Sequence, residues 1–146
     1  MKLSTRSRYG VRLMYELALR HADGPVTLRE IADRQGMSEK YLSKLIIPLK
    51  SAKLVASSRG SHGGYVLSRE PHDITLRQMV EALEGDLSPV ECTNGFSACE
   101  RTAACPLRRI WKGLEKSMLS YLESVSLADI VADGKRAGSE SVTFCI

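Results

Sequence analysis

The chain of 146 residues has the length of one domain, or of one small domain with an appended arm, and is too short for a multidomain enzyme. Its hydrophobic residues, 43% of the total, are mainly aliphatic, because only one Trp and two Phe are present. No apolar run approaches the roughly 20 residues that cross a bilayer, and the first residues do not form an apolar signal segment. The sequence therefore predicts a cytosolic protein with no membrane partner.

Charge is divided unevenly along the chain. Residues 1 to 70 contain 13 Lys and Arg against 6 Asp and Glu, a net charge of +7. Residues 71 to 146 contain 8 against 11, a net charge of −3. A basic first half predicts contact with a polyanion, although an unevenly charged solvated surface would explain the same pattern.

Three helices are predicted in the first fifty residues. Apolar residues recur at helical spacing from about Ser7 to His21. A second helix begins at the Thr27-x-x-Glu30 capping box and ends at Gly36, and Ser38 then caps a third helix. The buried stripe of the third helix is Leu42, Leu45, Ile46 and Leu49. The second and third helices, joined by a tight glycine turn, form a helix-turn-helix.

After the third helix the apolar period changes from 3.6 to 2. Residues Leu54 to Arg59 and Tyr65 to Arg69 are predicted as two strands, joined by a glycine-rich turn at residues 60–64. The Thr75-x-x-Gln78 box then starts a fourth helix, which Gly85 ends. A hairpin beside a helix-turn-helix is a wing, so the predicted fold is a mainly α, winged helix-turn-helix domain with a small β-hairpin.

A long helix is predicted from about Ala104 to Ser124, with Pro106 in its first turn. Its apolar stripe is too long for this domain to cover alone, so the sequence predicts a homodimer; a stripe that packs on its own domain is the alternative. The residues assigned to dimerisation are Leu107, Ile110, Trp111, Leu114, Met118 and Tyr121, and Leu122 and Val125 extend the stripe.

The chain is thereby divided into four predicted units. Residues 1–85 form the winged helix-turn-helix domain, and residues 86–105 form an aperiodic loop that bears cysteines. Residues 104–133 contain the dimerisation helix and a short terminal turn capped by Ser126, and a mobile tail is expected from residue 134 to 146.

The exposed face of the third helix carries groups that a major groove can use. Rotation by about 100° per residue places two cations, a hydroxyl and the apolar Ile47 opposite the buried stripe. These groups and the flanking Glu39 suit phosphate, guanine, cytosine and a thymine methyl. In the wing, Arg59 precedes a turn with little side-chain bulk, which suits entry into a narrow minor groove, whereas an ordinary hairpin turn is the alternative. The predicted DNA-binding residues are Ser38, Glu39, Lys40, Tyr41, Ser43, Lys44, Arg59, Gly60, His62, Gly63 and Gly64.

Three of the four cysteines lie within 14 residues, as Cys92-x6-Cys99-x5-Cys105. Thiolates in such a loop are soft ligands for iron or zinc, and in a reducing compartment they are not expected to form a disulfide framework. Zinc usually takes four protein ligands and often a Cys-x2-Cys pair, which this sequence does not have. An iron-sulfur cluster with two or four irons is therefore favoured, and a metal-free thiol switch is the alternative. Cys145 is interpreted as an incidental thiol.

Several of these segments together resemble the Rrf2 family. The resemblance is carried by residues 1–10, the turn from Gln35 to Ser38, the wing from Arg59 to Tyr65, and the cysteine loop followed by Trp111, and it covers residues 1–133. It implies a dimeric winged-helix transcription regulator, in a family of which many members sense iron-sulfur status, nitric oxide, iron or cysteine supply. It also implies that the helix after Ser38 reads the major groove and that Arg59 enters the minor groove.

The chain departs from the pattern of the iron-sulfur assembly regulators in this family. Those usually have five residues in both gaps between cysteines and a His three residues after the last, whereas here the first gap has six residues and Arg108 takes the His position. Arg8 stands where nitric-oxide sensors of the family place an Asp ligand, and Ser43 stands where assembly regulators often carry Glu. The fourth cluster ligand is therefore not carried over, and Glu91, Glu100 or a small exogenous ligand are its candidates.

We therefore predict a homodimeric transcription regulator whose affinity for a palindromic operator in double-stranded DNA depends on a cluster held by Cys92, Cys99 and Cys105. One alternative is a metal-free regulator of the same family that responds to thiol oxidation or to a protein partner. Another, outside this class, is a small iron-sulfur electron carrier. An enzyme is not expected, because the sequence contains no Ser-His-Asp set, paired catalytic carboxylates, Walker loop or dinucleotide fingerprint.

Overall fold

The computed structural model describes residues 3–93, 99 and 104–138, and this part of the chain contains six α-helices and one two-stranded antiparallel sheet. The elements are α1 Thr5–Leu19, α2 Leu28–Gln35, α3 Glu39–Ser51, β1 Val55–Ser58, β2 Gly64–Leu67, α4 Leu76–Glu84, α5 Arg108–Ser124 and α6 Leu127–Gly138. Short 3-10 turns lie at Pro71–Asp73 and Glu91–Thr93. The predicted fold class is confirmed.

Local capping signals set the starts of the first helices. Helix α1 begins two residues before the predicted start, because the Ser4 hydroxyl accepts a hydrogen bond from the backbone N–H of Arg6 (3.1 Å). Both predicted capping boxes form, at Thr27 before α2 and at Thr75 before α4. Hydrogen bonds from the Thr27 backbone and hydroxyl hold the pKa of Glu30 below its ordinary value. The helix starts are thus determined by residues that lie within one turn of each other.

The core lies among α1, α2, α3 and α4, with contributions from the wing and from α6. The predicted stripe of α3 is buried, since none of its four residues is more than 4% exposed. Facing side chains on the other elements complete the core: Leu13, Met14 and Leu17 of α1, Ile31 of α2, Met79 and Leu83 of α4, and Leu127 of α6. Gly36 ends α2 at a φ of 61°, the left-handed region that favours glycine, so the chain can turn directly into α3.

The wing is attached to the helix-turn-helix by backbone hydrogen bonds. Strands β1 and β2 pair with Ser57 opposite Tyr65, and both are shorter than predicted. The N–H and C=O groups of Tyr65 also exchange hydrogen bonds with Val26, at 2.8 and 3.0 Å. Because Val26 directly precedes the cap of α2, β2 connects the wing to the first helix of the helix-turn-helix.

Two predictions about the second half are corrected. Helix α5 begins at Arg108, so Pro106 lies before the helix and not in its first turn; the carbonyl of Leu107 accepts the first helical hydrogen bond, from Trp111 (3.0 Å). The Ser126 cap forms, but α6 continues to Gly138, beyond the point where a tail was expected. The continuation of α6 beyond residue 133 follows its contact with α1, because Gly134 lies so close to Tyr15 that a Cβ there would be 2.9 Å from the Tyr15 ring carbon Cε2. In the described part of the chain, no helix has the length and apolar character needed to span a membrane.

Candidate nucleic-acid interface and cysteine loop

The face of α3 opposite the core is exposed and polar. Glu39, Lys40, Ser43 and Lys44 are all exposed, and Ile47 on the same helix is 63% exposed. The Ser43 hydroxyl donates to the backbone carbonyl of Lys40 (2.7 Å), which leaves its oxygen lone pairs available to an incoming donor. A helix with one fully buried stripe and a cationic outer face has the chemistry to enter a major groove.

Tyr41, which the sequence grouped with the DNA-binding residues, has a different environment. Its ring is half-buried and lies edge-on to the ring of Tyr9 in α1, with centroids 5.8 Å apart and planes at 83°. The sequence pattern could not separate Tyr41 from its exposed neighbours, because Tyr9 is distant along the chain. Tyr41 therefore packs the start of α3 against α1.

The turn of the wing is exposed from Arg59 to His62. Gly60 has a φ of 118°, which strongly favours glycine. A Cβ on Gly63 would lie 2.6 Å from the carbonyl oxygen of Ser58, and a Cβ on Gly64 would lie 2.7 Å from the carbonyl group of Val26. The glycines at positions 60 and 63 are thus required by the hairpin itself, and Gly64 by its close approach to Val26. Their presence supports the wing but does not by itself indicate a DNA contact.

Lys50 makes a contact between α3 and the wing that the sequence did not indicate. It lies in the last turn of α3, and its Nζ donates to the Ser57 hydroxyl of β1 (3.2 Å). The same ammonium lies 5.9 Å from the ring centroid of Tyr65, on the opposite strand. One side chain thereby connects the end of α3 to both strands of the wing. No local pattern predicts this contact, because Lys50 alone carries no sequence signal for its distant partners.

The cysteine loop is only partly described. Cys92 is half-buried in the Glu91–Thr93 turn, Cys99 is exposed, and Cys105 is half-buried three residues before α5. Within the described ranges, no three His, Cys, Asp or Glu side chains lie close enough to hold a metal ion. The described geometry therefore does not assemble the predicted ligand set. Among the other candidate groups, Glu91 is exposed, and Glu100 and Cys145 lie outside the described residues.

Helix α5 exposes much of its apolar stripe. Four large apolar side chains at or before α5 are between 44 and 67% exposed: Leu107, Ile110, Leu114 and Tyr121. Trp111 and Met118 are half-buried. Leu122 is 8% exposed and packs within its own chain, so the predicted stripe is not one continuous free surface. The remaining face is the part that a second molecule could cover.

Comparisons with known proteins agree with this architecture. A family model described as "Rrf2: Iron-dependent Transcriptional regulator" matches residues 3–133. The chain is similar to Protein rrf2 of Nitratidesulfovibrio vulgaris, with 44% identity over 91% of this chain and 89% of that protein.

Two solved structures of similar proteins were also found. One is CymR, described as the global cysteine regulator of B. subtilis, with 39% identity over 90% of this chain and 97% of the other, and a TM-score of 0.71. The other is IscR of T. potens, with 39% identity over 99% and 94% and a TM-score of 0.75. The resemblance to the Rrf2 family and the prediction of a regulator, not an enzyme, are both confirmed.

Proposed function

Because the chain belongs to the Rrf2 family of DNA-binding transcription regulators, we propose that it binds operator DNA with the exposed face of α3 in the major groove and Arg59 in the adjacent minor groove. The observation that carries this proposal is the pairing of a fully buried stripe with a cationic outer face on α3. The exposed Arg59 lies on the wing, which backbone and side-chain hydrogen bonds attach to the helix-turn-helix. We expect such a regulator to act in the cytoplasm, where it meets its operator DNA.

Replacement of Arg59 tests this assignment. Arg59→Ala removes a groove or phosphate contact and should weaken operator binding by about 1 to 3 kcal/mol. The matched control is Lys135→Ala, which removes one exposed cation from α6 and should leave operator affinity unchanged. Affinities measured at physiological salt should separate the two variants. If Arg59→Ala binds as tightly as the wild type, the wing is not part of the binding site.

The proposed functional unit is a homodimer that binds a palindromic operator. The exposed residues Leu107, Ile110 and Leu114 are spaced by three and four positions, and Tyr121 follows seven positions later. This spacing lies along one helical stripe, and exposed stripes of this kind are typical of helix pairs. A second copy is the occupant that offers the same apolar stripe. Two copies related by a two-fold axis would present two α3 helices to symmetric half-sites.

The loop at residues 86–105 is proposed as the sensor, with an iron-sulfur cluster held by Cys92, Cys99 and Cys105. This proposal is supported by the cysteine spacing and by the description of the matching family as iron-dependent. A cluster supplies sensitivity to iron supply and oxidation. Two observations support the metal-free alternative: the similarity to CymR, and the lack of a three-donor group in the described part of the loop.

Visible absorbance separates the two sensor chemistries. After anaerobic reconstitution with iron and sulfide, a cluster should absorb between roughly 300 and 450 nm, and replacement of each of the three loop cysteines by Ala should abolish that absorbance. Cys145→Ala is the matched control and should retain it. A colourless wild type would favour the metal-free regulator, and loss of the cluster in the Cys145 variant alone would overturn the assignment of the three loop cysteines as ligands. Iron and sulfide assays on the same samples give an independent measure.

A further inference from the structure

Two side chains of α1 form hydrogen bonds with Gln35, at the end of α2 just before the turn into α3. Arg12 Nε donates to the side-chain carbonyl oxygen of Gln35 (2.8 Å), and a terminal nitrogen of the same guanidinium donates to the Gln35 backbone carbonyl (3.1 Å). The side-chain amide of Gln35 donates in turn to the carboxylate of Glu16. Gln35 therefore accepts two hydrogen bonds from Arg12 and donates one to Glu16, and these two partners lie one turn apart on α1.

Gln35 occupies a position that controls where α3 begins. It is the last residue of α2, Gly36 turns the chain in the left-handed conformation, and Ser38 already caps α3. A carbonyl in the last turn of a helix has no partner within its own helix, and a cation is favoured there. Arg12 supplies both a donor and a positive charge at this point. Only two residues separate Gln35 from the Ser38 cap, so any displacement of Gln35 would be transmitted directly to the start of α3.

Arg12 also contacts the start of α3 through an aromatic pair. Its guanidinium carbon lies 5.7 Å from the ring centroid of Tyr9, and the Tyr9 ring packs edge-on against Tyr41 in the first turn of α3. The same arginine therefore acts on both sides of the turn, on the end of α2 through Gln35 and on the start of α3 through Tyr9.

Glu16 is the buried member of this cluster, whereas Arg12 and Gln35 are half-buried. Glu16 is only 5% exposed, and its Oε2 lies 3.9 Å from the mostly exposed Arg34. Within the described residues, this Oε2 and the remaining terminal nitrogen of Arg12 have no hydrogen-bond partner. Buried charges with incomplete partners cost free energy, so their presence is not explained by stability alone. Specificity of orientation is a role that buried polar groups can have.

We propose that Arg12 and Glu16 are positioning residues for DNA reading, which set the orientation of α3 through Gln35 and Tyr9. This inference rests on the proposed operator binding by α3. Because the Arg12 guanidinium is engaged by Gln35 within the chain, we expect it to contribute no phosphate contact. Its loss should therefore reduce discrimination between operator and other DNA, while the electrostatic, sequence-independent affinity is retained.

The test uses duplexes selected from a random pool by the full-length wild type, together with a scrambled duplex of the same length. Arg12→Met keeps the aliphatic stem and removes the donors. Operator affinity should fall about tenfold, whereas affinity for the scrambled duplex and the slope of log K against log salt should stay unchanged. Lys135→Met is the matched control for loss of one cation and should change neither affinity.

A conservative variant distinguishes positioning from general stabilisation. Glu16→Gln keeps an oxygen that can accept from Gln35 and should retain operator discrimination, whereas Glu16→Leu should lose it as Arg12→Met does. Gln35→Met removes the side-chain hydrogen bonds to Arg12 and Glu16 but keeps the backbone carbonyl that accepts from Arg12, and it replaces Arg12→Met should that variant fail to fold. Circular dichroism confirms that the compared proteins are equally folded.

The outcomes separate this inference from the proposed function. Equal losses on operator and scrambled DNA, with a smaller salt slope, would show that Arg12 contacts phosphate and would overturn the positioning role. Unchanged operator affinity in folded Arg12→Met and Gln35→Met would overturn it as well. A wild type that selects no duplex would overturn the proposed function, and the positioning role with it.

Discussion

Helices α3 and α5 use their apolar residues in opposite ways. Helix α3 has 13 residues and buries four apolar side chains in its own chain, whereas α5 has 17 residues and buries only Leu122. Both helices show an apolar stripe in the sequence. The stripe therefore predicts that a helix forms, but it does not identify the surface that covers it.

The difference follows from the neighbours of each helix. Helix α3 contacts α1, α2, α4 and β1, so its stripe lies inside a closed core. Helix α5 contacts α4 and the Glu91–Thr93 turn, which cover one side only. The winged helix-turn-helix domain is thus stabilised by contacts within its own chain, whereas the stability of α5 depends on what covers its open side.

The largest expected effect is on the stability of the winged helix-turn-helix domain. Leu42 is fully buried, so Leu42→Ala should lower the free energy of unfolding by about 2 to 5 kcal/mol through lost transfer free energy and an unfilled cavity. Denaturant unfolding at two protein concentrations measures it, and the loss should be the same at both. The matched variant Leu114→Ala, at a residue that is 44% exposed, should show a smaller loss that depends on concentration. A concentration-independent loss of equal size in Leu114→Ala would remove the distinction between the two helices.

A charge on the open side of α5 should have the next largest effect. Leu114→Asp or Trp111→Asp would bury a carboxylate in the proposed dimer interface and should raise its dissociation constant about a hundredfold, which is about 2.7 kcal/mol. Sedimentation should show monomers with little operator affinity. Lys116→Asp introduces a carboxylate at an exposed position outside the stripe, with a larger change in net charge, and should leave the dimer intact. Intact dimers for both stripe variants would mean that the stripe is covered within its own chain.

The smallest effect concerns the junction between α1 and the end of α4. Burial opposes ionisation of Glu84, but hydrogen bonds from Ser4 and Ser7, together with the charge of Arg6, hold its pKa below the ordinary value of 4.5. The backbone N–H of Ser4 and the hydroxyl of Ser7 donate to the same carboxylate oxygen, at 2.8 and 2.7 Å.

Since the folded-state pKa of Glu84 is lowered, its stabilising contribution is complete above the ordinary value and is lost as the pH falls through the folded value. The difference in unfolding free energy between wild type and Glu84→Gln should be largest near about pH 7 and shrink towards about pH 3. Ser7→Ala, which removes one donor and keeps the carboxylate, should show a weaker trend of the same sign. A difference that grows as the pH falls would contradict the ionised, hydrogen-bonded Glu84.

Features that depend on neighbouring residues could be predicted well. The boxes at Thr27 and Thr75, the cap at Ser38 and the left-handed Gly36 are satisfied by groups within four residues, so spacing alone identifies them. The candidate DNA-binding face of α3 follows from the same helical geometry. Its contribution to DNA binding stays a prediction, as does that of Arg59. The role of the three loop cysteines as cluster ligands also stays a prediction.

Only the tertiary structure shows which of these helices, turns and strands contact each other. The bridge from Val26 to Tyr65, the packing of Tyr41 on Tyr9, and the hydrogen bonds from Arg12 to Gln35 join residues that are far apart in the chain. Sequence determined the helices of the first half, the turn and the wing, because their signals are local hydrogen bonds and apolar periodicity. The orientation of α3 and the open side of α5 depend on long-range contacts, and the sequence shows no periodicity for these.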